Sequence, residues 1–323
     1  MFQELKLTDV WDKTFPKSDK VNHKKITFHN RFGIELAADQ YEPKEYRGKL
    51  IGIAISGPFG AVKEQASGLY AQKLAEMGFL TIAFDPSFTG ESGGFPRNVA
   101  SPDINTEDFQ ASIDYLSTLD NVDSNKLCIL GICGWGGLAL NAASIDTRIK
   151  VTISSTMYNM SRVNHNGYFD ATSEEELYKL KESLNNQRIE DFKNGNYLRA
   201  GGVSDVIPSD APFYVKGYYD YYKTKRGYHE RSLNSNAGWN ITSSLTFINT
   251  PQNAFLNEIK NAVLLIHGDK AHSLYFSKDA YSKLKGDNKE LLLIKDAVHT
   301  DLYDKIDIIP FDKIKDFILK HVN

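Results

Sequence analysis

Short, nearly continuous apolar runs alternating with stretches of helical periodicity constrain this 323-residue chain more than any other feature. LIGIAIS at Leu50–Ser56 is such a run, and others stand at 79–84, 126–132, 149–154, 262–267 and 291–294. A strand that is apolar on both alternating sets of side chains suits a sheet covered on both faces. Between the first two runs, Ala66, Leu69, Tyr70, Leu74 and Met77 recur at helical spacing, and Gly78 stands where a C-terminal cap belongs. A second helix puts Phe109, Ile113 and Leu116 on one face, with Glu107 and Asp108 expected in its first turn, where the helix dipole favours acids. Further helices are expected around 275–284 and where Phe311, Ile314, Phe317 and Ile318 line one side. Strands alternating with helices predict an α/β fold with a mostly parallel, doubly wound sheet. Segments 25–30 and 32–41, flanking Asn30-Arg31-Phe32-Gly33, add a β-hairpin ahead of it.

The alternation stops between 157 and 255. That stretch is polar and rich in tyrosine, with Phe213, Tyr214, Tyr218, Tyr219, Tyr221, Tyr222 and Tyr228 in one cluster. Its clearest helix opens on Ser173 and Glu176, a capping-box pair before Leu177, Leu180 and Leu184. The expected organisation is a core of residues 1–156 and 256–323, with 157–255 inserted as a helical cap over the strand ends.

Composition excludes several classes of function. Lys and Arg number 38 against 41 Asp and Glu, a net charge of −3, so no basic excess exists to bind a phosphate backbone. Two cysteines, Cys128 and Cys133, cannot build a disulfide framework, and no Cys/His cluster has structural-zinc spacing. The first twenty residues contain no apolar signal-peptide core, and no apolar run approaches the ~20 residues needed to span a bilayer. A cytoplasmic globular protein without a membrane partner is expected.

Chemistry is concentrated at Leu127-Cys128-Ile129-Leu130-Gly131-Ile132-Cys133-Gly134-Trp135-Gly136-Gly137, where a buried strand runs straight into a small-residue helix. A strand-to-helix elbow exposes its central side chain beside the backbone N–H groups of the helix start. Cys133 holds that position, and a helix N-terminus is expected to lower its thiol pKa toward the reactive thiolate. Gly131 leaves room for the turn, and the Gly134 N–H is a candidate oxyanion donor. Cys128, on the strand, reads as an inert core thiol.

At this motif the chain resembles the α/β-hydrolase superfamily, specifically its cysteine-nucleophile branch related to dienelactone hydrolase. The resemblance covers most of the chain outside the cap. It implies an acid after the next-to-last strand and a histidine after the last. Ile266-His267-Gly268-Asp269 and Asp296-Ala297-Val298-His299 stand there, and Cys133, Asp269 and His299 follow the superfamily's order of nucleophile, acid and histidine. Ser56-Gly57-Pro58-Phe59-Gly60 ends the first central strand, which makes the Phe59 N–H the candidate for the other oxyanion donor. The sequence departs from the pattern twice. Trp135 replaces a usually small residue, so that helix packs differently or the indole walls the substrate pocket. Ala271 occupies the slot where relatives often carry the acid, which makes Asp269 early.

Other residues carry weaker signals. His267 reads as a structural histidine, and His272 as a rival base at the same mouth. Asp85 reads as a cap for the Gly-rich loop 89–94, and Glu64 as the start of a helix. Tyrosines above a pocket favour an apolar or aromatic acyl or alcohol group. These readings converge on cleavage of an ester, lactone or thioester of a small molecule through a Cys-His-Asp triad, without metal or organic cofactor. An acyltransferase, a peptidase and a non-catalytic binding protein remain open alternatives, and a homodimer is the default assembly.

Overall fold

The computed structural model describes residues 4–323. Its centre is an eight-stranded sheet in the order β1-β2-β4-β3-β5-β6-β7-β8. The hairpin of β1 (Val21–His29) and β2 (Glu35–Pro43) is antiparallel, and β2 pairs antiparallel with β4 (Leu80–Phe84). From β4 across β3 (Leu50–Ser56), β5 (Val122–Ile132), β6 (Ile149–Ser155), β7 (Ala262–Gly268) and β8 (Lys289–Ile294), every pair is parallel. The α/β-hydrolase fold expected from the sequence is the fold observed.

Helices α1 (Ala66–Glu76), α2 (Pro102–Ser117) and α3 (Gly134–Ala143) connect the first parallel strands. The apolar runs form the core because both faces are covered. Ile53, Ile55, Leu130 and Ile153 pack in one cluster, and Ala54, Ile129, Leu138 and Phe109 in another. One expectation is corrected in α2. The helix begins at Pro102 behind the N-cap Ser101, so its first-turn acid is Asp103. Asp108 is instead buried and accepts hydrogen bonds from Ser87 and Asn30, a tertiary role that helix periodicity does not reveal.

Between β6 and β7 lie α4 (Met160–Asn166), α5 (Glu174–Asn194), α6 (Phe213–Tyr222) and α7 (Ser244–Asn249). The Ser173 and Glu176 capping box forms as expected at the start of α5. After β7 come α8 (Leu274–Lys283), the short α9 (Asp301–Asp304) and α10 (Phe311–His321).

Parallel strands in register bring their following loops to one edge. Ser56 pairs with Gly131, Ile132 with Ser155, and Gly268 with Ile294. The loops bearing Phe59, Cys133, Thr156, Asp269 and His299 therefore leave the sheet on the same side, where ligands bind in open α/β sheets.

Candidate active site

The site is built around the backbone of Cys133. Its φ of 59° and ψ of −127° place a non-glycine residue in a sparsely populated conformation, with a cost on the order of 1–3 kcal/mol. Hydrogen bonds hold it there. The Cys133 N–H donates to Ser155 O at 2.9 Å, and the Cys133 carbonyl accepts from Gly136 and Tyr158 N–H groups, each at 2.9 Å. A side chain at Gly131 would collide with the Trp135 carbonyl at 2.0 Å, so only glycine permits the elbow. A Cβ at Gly134 would sit 2.7 Å from Phe59 Cβ, and this close approach brings the two candidate donor loops together.

The Tyr303 hydroxyl and the backbone N–H groups of Phe59 and Gly134 lie beside the Cys133 sulfur. Cys133 is 8 % exposed. Burial pushes its thiol above the ordinary range even though those donors pull the other way. The expected lowering by the helix start is thus overridden by desolvation, and the resting group is a neutral thiol. Cys128 is fully buried and raised by the same cause, as expected of a core thiol.

His299 lies one group beyond. Its Nε2 is 3.0 Å from the Tyr303 hydroxyl, which lies beside the Cys133 sulfur as well. On the other side, Nδ1 lies 2.9 Å from Thr156 Oγ1 and 2.6 Å from Ser273 Oγ. Ser273 Oγ continues 2.9 Å to His267 Nε2, whose Nδ1 is 2.7 Å from Ser277 Oγ. Each link is a hydroxyl or a neutral imidazole, and the chain can pass a proton in either direction. Burial first, then the neighbouring rings of His272 and His267, hold His299 well below its ordinary pKa.

Asp269 is not brought to His299. Its Oδ1 accepts the Asp296 N–H at 2.7 Å, and the Nδ1 position that a triad acid would occupy is filled by Thr156 and Ser273. The physical reason is placement: Asp269 directly follows β7, so its side chain caps the turn after β8 before the chain reaches the histidine. Trp135 is likewise elsewhere. It is 1 % exposed and packs edge-on against Phe84 and Phe109 in the core rather than lining the cavity beside Cys133. His272 does reach the mouth, with its ring 5.4 Å from that of His299, but its Nε2 is hydrogen bonded to the Tyr158 hydroxyl. The sequence reading missed Tyr303, Thr156 and Ser273. Only Tyr303 left a trace, its position four residues after His299, one helical turn along.

A cavity of about 230 Å³ opens on the sulfur. It is lined by Phe59, Cys133 and Tyr303 and, from the segment between β6 and β7, by Tyr158, Met160, Tyr168, Tyr218, Tyr222, Asn234 and Trp239. None of its lining residues carries a formal charge. Among the described residues, Glu64, Asp85 and Glu91 form the group with metal-like spacing, and the Lys63 ammonium sits among all three carboxylates. Asp85 also accepts the Glu91 N–H, the loop cap expected of it, whereas Glu64 is a buried ion-pair partner rather than a helix start.

The buried rings predict a pH effect on stability. His267 is lowered to about 3 and His272 to about 4, burial being the first cause in both. Below the unfolded-state value of ~6.5, the unfolded chain binds protons that the folded rings refuse, so stability falls as pH falls. Asp108, raised to about 6 by burial, works the other way and begins to offset the loss near pH 6. The urea midpoint is expected to drop between about pH 7.5 and about pH 6, and the slope to flatten in His272→Gln. A midpoint that holds or rises on acidification contradicts the assignment.

No protein-family model matches the chain. It is 52% identical over 321 residues to the uncharacterized protein PA2218 of Pseudomonas aeruginosa, covering 99% of this chain and 86% of that protein. The crystal structure of PA2218 matches with a TM-score of 0.96 at 51% identity, over 99% of each chain. The α/β hydrolase GrgF from Penicillium sp. sh18 shares the fold, with a TM-score of 0.77 at 16% identity over 93% of this chain and 99% of that one. A thiohydrolase of Eupenicillium brefeldianum is 27% identical over 139 residues, which is 43% of this chain and 44% of the relative. No helix among the described residues is long and apolar enough to cross a membrane.

Proposed function

This chain belongs to the same family as PA2218 and has the α/β-hydrolase fold, and from that premise we propose that it hydrolyses an uncharged ester, lactone or thioester through a covalent acyl group on Cys133. One observation carries the reading: a cysteine in a strained strand-to-helix elbow lines the cavity, with the Phe59 and Gly134 N–H groups and the Tyr303 hydroxyl beside its sulfur. The partial likeness to a thiohydrolase favours the thioester member of that class.

In acylation, Cys133 Sγ bonds to the substrate carbonyl carbon as its proton passes to Tyr303 Oη and the Tyr303 proton passes to His299 Nε2. The oxyanion rests against the Phe59 and Gly134 N–H groups, each donor contributing ~3 kcal/mol to barrier reduction. The bond to the leaving oxygen or sulfur then breaks, and that atom takes the proton back along the same path. In deacylation, water bonds to the carbonyl carbon and gives its proton to the relay. The C–S bond breaks, and Sγ recovers a proton. Thr156 and Ser273 orient His299 here, and no carboxylate is assigned that task.

The neutral walls favour an uncharged group beside the sulfur, since an unpaired charge buried there would lose its hydration. Incubation with a short-chain activated ester and rapid acid quench tests the reading. Peptide mass spectrometry is expected to find the acyl mass on the Cys133 peptide and not on Cys128. Turnover with the acyl group on another residue overturns the nucleophile. An absence of both turnover and adduct across esters, lactones and thioesters favours a binding protein instead.

A further inference from the structure

Two buried imidazoles lie in one hydrogen-bonded chain, and the proposed chemistry uses only one of them. His267 is fully buried, with its ring centre 6.1 Å from that of His299. Ser273 Oγ lies between the rings, 2.9 Å from His267 Nε2 and 2.6 Å from His299 Nδ1. Neither ring has a carboxylate hydrogen-bond partner among the described residues, and burial holds both below the ordinary histidine pKa. Both are therefore neutral near pH 7, and each carries one ring proton.

Ser273 has one hydroxyl proton to give. If it donates to His267 Nε2, it accepts from a His299 Nδ1–H, and His299 Nε2 is bare and can take a proton from Tyr303. If it donates to His299 Nδ1, it accepts from a His267 Nε2–H, and His299 Nε2 already holds its proton. The tautomers of the two rings are thus tied together. Thr156 favours the first arrangement. Its Oγ1 lies 2.9 Å from the same Nδ1 and donates to the His299 carbonyl at 3.3 Å. An N–H at Nδ1 can be shared between the Thr156 and Ser273 oxygens, whereas a bare Nδ1 has one lone pair and cannot take both hydroxyls. Ser273 then keeps its proton for His267, whose Nδ1–H donates to Ser277 Oγ at 2.7 Å.

We propose that His267, acting through Ser273, holds His299 in the tautomer whose Nε2 is free to accept a proton, the task that a carboxylate performs in an ordinary triad. The inference rests on the proposed catalytic site and adds a positioning residue to it. His267 does not line the cavity and acts only through the ring it orients.

Long-range nitrogen–proton correlation spectra of protein with isotope-labelled histidine read ring tautomers directly, and His267→Gln and His299→Ala assign the two signals. In the wild type at about pH 7.5, both rings are expected to be neutral with the proton on Nδ1. His267→Gln offers Ser273 an acceptor oxygen, and is expected to keep the His299 tautomer and kcat/KM for a short activated ester within about threefold. His267→Phe removes the acceptor, so the Ser273 proton turns to His299 Nδ1 and the His299 proton moves to Nε2. There kcat/KM is expected to fall about thirtyfold. A wild-type His299 with its proton on Nε2 overturns the inference, and that spectrum decides even if His267→Phe fails to fold. So does a His299 tautomer unchanged in a folded His267→Phe, or an equal loss of activity in the Gln and Phe variants, which marks a packing role. The tautomers are read without turnover, so these outcomes bear on His267 alone. Ester turnover that survives Cys133→Ala defeats instead the catalytic reading on which the inference rests.

Discussion

Cys133→Ala is expected to lower hydrolysis of a short activated ester at least about a thousandfold, because every bond-making step of the proposed mechanism runs through its sulfur. The accompanying variants separate this relay from an ordinary triad. Tyr303→Phe removes the hydroxyl that lies beside both Sγ and His299 Nε2 and is expected to cost about a hundredfold, within the range of a general acid–base group. His299→Ala removes the terminal base and falls at least as far. Asp269→Asn is expected to stay within about threefold of wild type, since its carboxylate serves the Asp296 N–H and not the imidazole. Steady-state kcat/KM on one ester, with near-ultraviolet circular dichroism as a fold control, checks all four. A large loss in Asp269→Asn together with an indifferent Tyr303→Phe would restore the triad expected from sequence and remove the tyrosine.

Lys63→Met is expected to destabilise the fold by about 3–5 kcal/mol, the usual consequence of stranding buried charges. The Lys63 ammonium is fully buried and lies 2.7 Å from Glu64, 2.8 Å from Asp85 and 2.6 Å from Glu91. Those contacts hold the Lys63 pKa well above its ordinary value despite burial, and Lys63 is the leading charge that lowers Glu64 and Glu91. Methionine fills much of the same volume, so the loss reports charge rather than packing. Urea unfolding of the single variant and of Lys63→Met combined with Asp85→Asn distinguishes the two, because Asp85 has its ion pair with Lys63 whereas Glu91 also pairs with Lys25. Removing one stranded carboxylate is expected to recover part of the loss, whereas a packing defect leaves the double variant no better than the single. Lys63 also donates its backbone N–H to Asp85 at 2.8 Å, four residues after Phe59, so the network braces the loop that presents a candidate oxyanion donor.

The sheet was legible in the sequence because its evidence is local. An apolar run such as Leu50–Ser56 can be satisfied only by cover on both faces, and the observed β3 has the same bounds. The elbow was legible for the same reason, since Gly131, Cys133 and Gly134 record backbone constraints within a few residues. The cavity was half legible: the tyrosine-rich insert could be assigned to the site, but not the partner of each hydroxyl.

The local pattern determined the alternation of elements, the position of Cys133 at a strained turn and the arrival of His299 at the same sheet edge. The tertiary structure alone decided the chemistry around them. Tyr303 came between sulfur and imidazole, Thr156 and Ser273 took the place reserved for Asp269, and Trp135 went into the core. Periodicity and backbone sterics act within one or two turns of chain and are written in neighbouring residues. A buried side chain also takes partners from elements far apart in the chain, as His299 does from Thr156, and such a meeting depends on how loops cross the sheet edge rather than on spacing along the chain.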